Sequence, residues 1–321
     1  MAEKRPRLSR RSDSGKPAHG HSGRPLAHLI DAHVYVFRAF YALPELAAPD
    51  GTPTGATYGF ANTLLKYLDE RVVTHAALCF DWAMESFRNQ LFPSYKATRG
   101  SPPEALFRQL ELCGEVARAL GLPVFERERY EADDVIATLA GRLVSRGADV
   151  VVVTGDKDLA QLVREDARVV LYDLARDTTL DARGVRAKFG VDPAQIPDYL
   201  ALVGDTVDNL PGVPGVGPRS ASAALRAFGT IEGIPADPRA WAGVPVRGAA
   251  RIALAIEAHR EQALRVRALA TVEREVPGLP DGLEALAYHG AYRERVSPLF
   301  ERLGWTGIGA RVKRWREAEI H

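Results

Sequence analysis

Cysteine is scarce: Cys79 and Cys113 are the only two in 321 residues. No spacing between them reads as a disulfide framework or a zinc site. Cys79 falls in the apolar run 76–80 and reads as a core residue. The scarcity points to a reducing, cytoplasmic setting. Long apolar runs are lacking too. None approaches the roughly 18 residues needed to span a bilayer, which argues against a membrane partner. The N-terminus is basic but lacks the apolar segment of a secretory signal. Overall the chain has no excess of either charge, with a formal net of +1.

That balance conceals an asymmetry. Residues 1–25 hold seven Lys or Arg against Glu3 and Asp13, a net of +5, so the rest of the chain carries about −4. The tail is rich in Arg, Ser, Gly, Pro and His and reads as disordered. It is either a solvated end or an electrostatic lure for nucleic acid. The remainder, in a chain that is 46% hydrophobic and 26% charged, suits one large domain or two closely joined ones. Such a length buries a sizeable core without staples.

Three short apolar runs, residues 26–30, 76–80 and 149–153, read as buried strands. Helical patterns cover residues 58–70, 105–120 and 133–145. Strand–helix alternation of this kind predicts a parallel α/β sheet with helices on both faces. Past about residue 190 the chain breaks into short helices punctuated by Gly and Pro, which predicts a helical subdomain. Residues 234–245 read as loop, and 310–321 as a charged helix or tail.

Each predicted strand runs into aspartate: Asp31 after the first, Asp81 after the second, Asp156 and Asp158 after the third. In open parallel sheets the carboxyl ends of strands line the functional crevice. Glu131, Asp133 and Asp134 start the helix before the third strand, where acidic residues also serve as ordinary caps. Asp205 and Asp208, three apart, read equally as a turn signal. Together these nine carboxylates would repel one another and raise one another's pKa values unless cations intervene. Hard oxygen donors without His or Cys suit magnesium or manganese, and two such ions can support phosphodiester cleavage. Without the nine, residues 26–321 carry about +5, a mildly basic surface around an acidic pit.

Between the second strand and the next long helix stand Tyr95, Lys96 and Arg99. On a helix Lys96 and Arg99 would share a face, and Tyr95 would offer a base a stacking surface. The segment grips single-stranded DNA and sets a cation on the scissile phosphate, or it is an exposed polar loop. Further on, Gly212, Gly215 and Gly217 precede Arg219 and an Ala-rich helix. Glycines at a helix start let backbone N–H groups approach phosphates. The run has neither the Gly-Lys-Ser/Thr ending of a Walker A loop nor the order of a dinucleotide fingerprint. A hairpin that holds a duplex backbone without reading its sequence fits better.

With these segments in view, the chain closely resembles the 5′-nuclease family: the N-terminal domain of bacterial DNA polymerase I, phage 5′-exonucleases and flap endonucleases. The resemblance rests on Leu29-Ile30-Asp31 with Arg38; Gly51-Thr52-Pro53-Thr54-Gly55; Phe80-Asp81; Tyr95-Lys96 with Arg99; Tyr130-Glu131-Ala132-Asp133-Asp134; Thr154-Gly155-Asp156-Lys157-Asp158; Gly204-Asp205 with Asp208-Asn209-Leu210-Pro211-Gly212; and Gly215-Val216-Gly217. They occur in family order across about residues 28–230.

The resemblance implies a PIN-like catalytic domain over residues 26–203, with a helical arch at about 83–110, then a helix–hairpin–helix subdomain of the H3TH type over 204–305 and a tail over 306–321. It implies two metal clusters, Asp31, Asp81, Glu131 and Asp133 with Asp134 nearby, and Asp156, Asp158, Asp205 and Asp208. Lys96, Arg99 and Arg38 would act at the scissile phosphate. The hairpin would grip duplex DNA, with a potassium ion on its carbonyls. Ala32-His33 departs from the family's small residues beside Asp31, and Arg219 replaces the usual Lys. With no polymerase domain before the chain ends at His321, the expectation is a stand-alone bacterial member, monomeric, working beside a DNA polymerase. The implied activity is Mg2+- or Mn2+-dependent 5′–3′ exonuclease and flap endonuclease action on 5′ flaps, nicked or gapped duplexes and RNA–DNA hybrids. Two other classes stay open. A non-catalytic DNA-binding protein would lack a cluster carboxylate, and a PIN-type ribonuclease would lack the glycine hairpin.

Overall fold

The computed structural model describes residues 23–100 and 102–316. The basic tail therefore lies, except for its last three residues, outside the described residues, as does the end of the chain from 317. Six strands form one sheet: β1 (Leu26–Asp31), β2 (His75–Cys79), β3 (Val124–Phe125), β4 (Asp149–Val153), β5 (Val169–Asp173) and β6 (Thr178–Leu180), in the order β3-β2-β1-β4-β5-β6. All pairings are parallel except β5 with β6. The three predicted strands are the central three, within one residue of their expected bounds. β3, β5, β6 and the helix after β1 carried no motif and were not foreseen.

Helices α1 (Ala32–Ala42), α2 (Gly55–Glu70), α3 (Phe87–Leu91), α4 (Glu104–Ala119) and α5 (Ala132–Ser145) follow in chain order. Strand periodicity divides the sheet's side chains between two cores. Leu29, Cys79, Val150, Val152 and Leu171 face α5. Ile30, Leu78, Val151, Val153 and Val170 face α1, α2 and α4. Burying each such side chain contributes about 1.5–3 kcal/mol, so a one-residue register slip would exchange both sets and is strongly disfavoured. Gln109 pins α4 to the start of α2, its Oε1 accepting from Ala56 N at 2.6 Å.

The second half is helical: α6 (Ala182–Phe189), α7 (Ile196–Val203), α8 (Pro218–Phe228), α9 (Ala249–Ala258), α10 (Arg260–Ala270) and α11 (Arg293–Arg302). Leu200, Leu202, Val213, Leu225 and Val266 join the same core as α5, so the helical part shares its interior with the sheet. Residues 234–245 are not simple loop. Asp237 caps a 3-10 turn, Pro238–Trp241, and Trp241 is buried with its Nε1 donating to Pro235 O at 3.0 Å. α11 and the segment after it return to the α4 face, where Leu299, Phe300, Ile308 and Val312 complete the second core. Among the described residues no helix is long and apolar enough to cross a membrane.

His28, in the middle of β1, is buried with Nδ1 2.7 Å from the Tyr67 hydroxyl. Burial, then the nearby Arg71 cation, lowers its pKa from 6.5 to about 4. Unfolded chains take up that proton below about pH 6.5, whereas the folded protein refuses it until about pH 4. The stability gained by keeping His28 neutral is present above pH 6.5 and is lost as pH falls toward 4, at about 1.4 kcal/mol per pH unit. Urea unfolding across that range should show the decline, and His28→Gln should flatten it. Equal slopes for the two proteins would contradict this role.

Candidate metal and nucleic-acid site

The sheet order places β1 beside β4 and β2, so the acidic residues at their carboxyl ends converge. Asp31 is the last residue of β1, and its Oδ2 accepts from Thr154 Oγ1, just past β4, at 2.8 Å. The same Thr154 hydroxyl accepts from Asp156 N at 2.9 Å, and Asp156 Oδ1 accepts from Asp158 N at 2.8 Å. This chain of short bonds turns the β4 end into a tight loop and starts the 3-10 turn Asp158–Leu162. Asp81, two residues past β2, accepts from Ala132 N at 2.7 Å and so ties β2 to the start of α5. Glu131 is the N-cap of α5, and Asp133 lies in its first turn. Asp205 and Asp208 come from the loop after α7, where Asp205 Oδ1 accepts from Val207 N at 2.8 Å.

Electrostatics bind these groups into one unit. Burial, then Asp156 and Asp81, pushes the Asp31 carboxyl up to about 7. Burial, then Asp156 and Asp31, raises Asp133. Asp156 is raised by burial and by Asp208, and Asp158 by burial, then Asp156 and Asp205. Asp156 therefore feels both expected clusters and links them. On Asp133, Asp156 and Asp158, burial and like charge outweigh the opposing pull of Lys96 and Lys157.

Three cations restrain the periphery. Lys96 Nζ lies 2.8 Å from Glu131 Oε2, Lys157 Nζ 2.6 Å from Asp205 Oδ2, and Arg99 pairs with Asp208. Burial acts to raise Glu131, but Lys96 and Arg88 outweigh it and hold the group down at about 2. As the side chains stand, no three of His, Cys, Asp and Glu among the described residues are grouped to hold one ion. The donor set nevertheless fits a hard divalent cation: it is all oxygen, burial and like charge raise its inner members, and Asp158 Oδ1 is buried without a hydrogen-bond partner among the described residues.

Two cavities flank the carboxylates. One, of about 770 Å³, is lined by Asp156, Asp158, Asp205 and Asp208 together with Arg38 and Arg99. The other, of about 500 Å³, opens on Asp81 and His33. At the glycine hairpin, an added Cβ on Gly212 would meet Val203 O at 2.3 Å, so this glycine is required for close backbone packing. Gly215 has φ +78, and Gly217 is the N-cap of α8 with open space around it. Arg219, in the first turn of α8, is exposed.

Three sequence expectations need correction. Asp134 is fully buried, its two oxygens gripped by Arg88 Nη1 and Nη2 at 2.8 and 2.7 Å, and it also accepts from Glu131 N and Glu273 N. It is a structural ion pair without a free lone-pair face for a metal. Tyr95 is 4% exposed, with its hydroxyl 3.3 Å from both Glu131 and Asp208, so its ring offers no platform to a base. Lys96 and Arg99 do not share an α-helical face: Lys96 has φ +56 and precedes a single 3-10 turn, Ala97–Arg99. Each reaches a different carboxylate. Sequence reasoning also passed over Arg88, Ser86, which donates to Glu131 Oε1 at 2.7 Å, and Lys157, whose signal was its place between Asp156 and Asp158.

The sequence and the fold both have known relatives. Residues 26–190 match the family model of the 5′-3′ exonuclease N-terminal resolvase-like domain, and residues 191–294 that of the 5′-3′ exonuclease C-terminal SAM fold. The chain is similar to DNA polymerase I of Bacillus caldotenax, 39% identical over 87% of this chain and 31% of that protein. It is likewise similar to the Pseudomonas aeruginosa polymerase, 43% identical over 77% of this chain and 27% of that protein. It thus spans about a third of the length of such relatives. In fold it resembles T5 5′-exonuclease with bound zinc (TM-score 0.64, 18% identity, 87% of this chain, 98% of that one). The catalytic core of Rad2 in complex with DNA is also similar (TM-score 0.58, 13% identity, 90% of each chain).

The Arg88–Asp134 pair yields a stability test. Arg88→Met strands a buried carboxylate and should cost about 3–5 kcal/mol in urea unfolding. Asp134→Asn should also destabilise, and the double variant Arg88→Met/Asp134→Leu should recover much of the loss. A normally stable Asp134→Asn protein would contradict the assignment.

Proposed function

The chain belongs to the 5′-3′ exonuclease family, and on that premise we propose that it is a divalent-metal-dependent 5′–3′ exonuclease and structure-specific flap endonuclease. The observation that carries the reading is the convergence of buried Asp31 with half-buried Asp133, Asp156 and Asp158, each raised by desolvation and by its acidic neighbours, in a crevice edged by Lys96, Arg99 and Arg38. Asp31, Asp81, Glu131, Asp133, Asp156, Asp158, Asp205 and Asp208 are the proposed ligands, for two or more Mg2+ ions with Mn2+ as a substitute. When bound, such cations supply Lewis acidity and neutralise the charge that a phosphodiester gains on the way to cleavage.

The chain's own residues place the substrate. Lys96 and Arg99, now on Glu131 and Asp208, can exchange these carboxylates for phosphate oxygens once cations take over the carboxylates. Arg38 lines the same crevice and faces the phosphate from α1. The open N-terminus of α8, with Gly215, Gly217 and Arg219, holds the duplex backbone without reading bases, and its carbonyls are the candidate seat for potassium. In the reaction water attacks phosphorus, the P–O3′ bond breaks, and the 5′-phosphate stays on the product. Substrates are 5′ flaps, nicked or gapped duplexes and RNA–DNA hybrids. We place the protein in the bacterial cytoplasm at the nucleoid, as a monomer beside a DNA polymerase in replication or repair.

A 5′-labelled flap beside linear duplex tests the reading. Cleavage should require magnesium or manganese and stop with excess chelator. Asp156→Asn, which removes the carboxylate shared by both groups, should lower single-turnover cleavage by at least about a hundredfold while retaining flap binding. Undiminished cleavage in chelator, or by Asp156→Asn, would overturn it.

A further inference from the structure

At the edge of the sheet away from the carboxylates, a cavity of about 230 Å³ opens between the end of α2, the segment leading into β2 and the segment after α11. Val72 and Val73 precede β2, so the cavity lies at the amino edge of the sheet, whereas Asp31, Asp81 and Asp156 stand at the carboxyl edge. Its floor is apolar, with Leu65, Leu68, Val73 and Tyr288, and Val72, 91% exposed, lines it as well. Its rim carries Arg71, Arg311, Lys313 and Arg314 against Asp69. Arg71 is already committed: its guanidinium lies 4.5 Å from the ring centres of both Tyr67 and Tyr172, and its Nη1 is 3.6 Å from Glu70 Oε2. The other three cations are held by neutral atoms. Arg311 donates to Asn62 Oδ1, Lys313 to Ala310 O at 3.4 Å and Arg314 to Val73 O at 3.0 Å, and none of the three pairs with a carboxylate among the described residues.

Three such cations around an apolar hollow call for an acidic ligand with an apolar part. The hollow is smaller than the roughly 300 Å³ at which cavities begin to enclose a whole small ligand, so it suits a single side chain. Nucleic acid fits less well. A phosphodiester chain has nothing apolar to set on Leu68 and Val72, and Arg314 covers Tyr288, its charge 5.2 Å from the ring centre, so no aromatic face is open to a base. The rim is also pre-formed. Val312 is buried in the second core, Ala291 N donates to Arg314 O at 3.0 Å, and Arg316 N donates to Ala291 O at 2.9 Å, which leaves little ordering to be done on binding. We propose that this pocket docks an acidic peptide segment of a partner protein, one apolar side chain entering the hollow while flanking carboxylates pair with Arg311, Lys313 and Arg314. The pocket shares no residue with the crevice of Arg38 and Arg99, so a docked partner leaves the carboxylates open to substrate and holds the protein in place while they act.

The test uses the whole chain and a fluorescein-labelled peptide with one leucine between two pairs of aspartates, read by fluorescence anisotropy at low ionic strength. The parent protein should bind it saturably, and added salt should weaken the binding. Replacing the aspartates by asparagine, or the leucine by glycine, should each weaken it by at least about tenfold. Lys313→Glu and Val72→Asp, both at exposed positions, should weaken it as much, with urea unfolding midpoints and flap cleavage like the parent's. No saturable binding by the parent, or equal binding by Lys313→Glu and Val72→Asp, overturns the docking site. Displacement of the peptide by a short oligothymidylate, or a dimer of the protein alone that Lys313→Glu dissolves, overturns it too, by assigning the same surface to nucleic acid or to a second copy of the chain.

Discussion

Mutual repulsion among carboxylates at the ends of β1, β2 and β4 is the constraint on which the rest of the molecule turns. A parallel sheet delivers its strand ends to one edge, and this sheet delivers Asp31, Asp81 and Asp156 there. Left alone, such a set would drive the loops apart. It is held by two means: a raised affinity of the inner members for protons, with Asp31 pushed up to about 7, and fixed cations on the outer ones, Lys96, Lys157 and Arg99. Both are exchangeable, so the site is stable as it stands and receptive to divalent ions.

The surrounding structure serves that arrangement. Arg88 reaches from α3 to Asp134 at the head of α5 and also donates to Leu269 O at 2.8 Å and Thr271 O at 3.1 Å, at the end of α10. One buried guanidinium thereby fixes the segment after β2, the helix bearing Glu131 and Asp133, and the helical half of the molecule. Asp208 gives the same service from the other side: its backbone O accepts from Lys96 N at 3.0 Å while its carboxylate meets Arg99 and Tyr95. The segment expected to arch over the site is thus tethered to the carboxylates it would serve.

The central strands and the carboxylates were legible in the sequence because short apolar runs leading into Asp are a local signal. β5 has the same pattern, Val169 to Asp173, but no motif accompanied it, and α1 was missed because it begins at Ala32 with no turn after Asp31. Asp133 and Asp134 could not be told apart by adjacency. Successive helical residues point about 100° apart, so one faces the crevice and the other the core, and the partner that decides this, Arg88, is distant in sequence. Burial of Tyr95 and the positive φ of Lys96 were illegible for a similar reason: both follow from contacts with Glu131 and Asp208 that only the fold creates. Trp241 was lost in an apparent loop because its burial depends on packing against Phe228 and neighbouring helices.

Divalent ions binding this carboxylate group should displace protons from it. Calorimetric titration of Mn2+ into the protein near pH 7, repeated in two buffers of different ionisation enthalpy, counts the protons released. Release of on the order of one proton per protein is predicted, diminishing as pH rises above the Asp31 value of about 7. Binding without proton release at neutral pH, or no binding at all, would contradict the account.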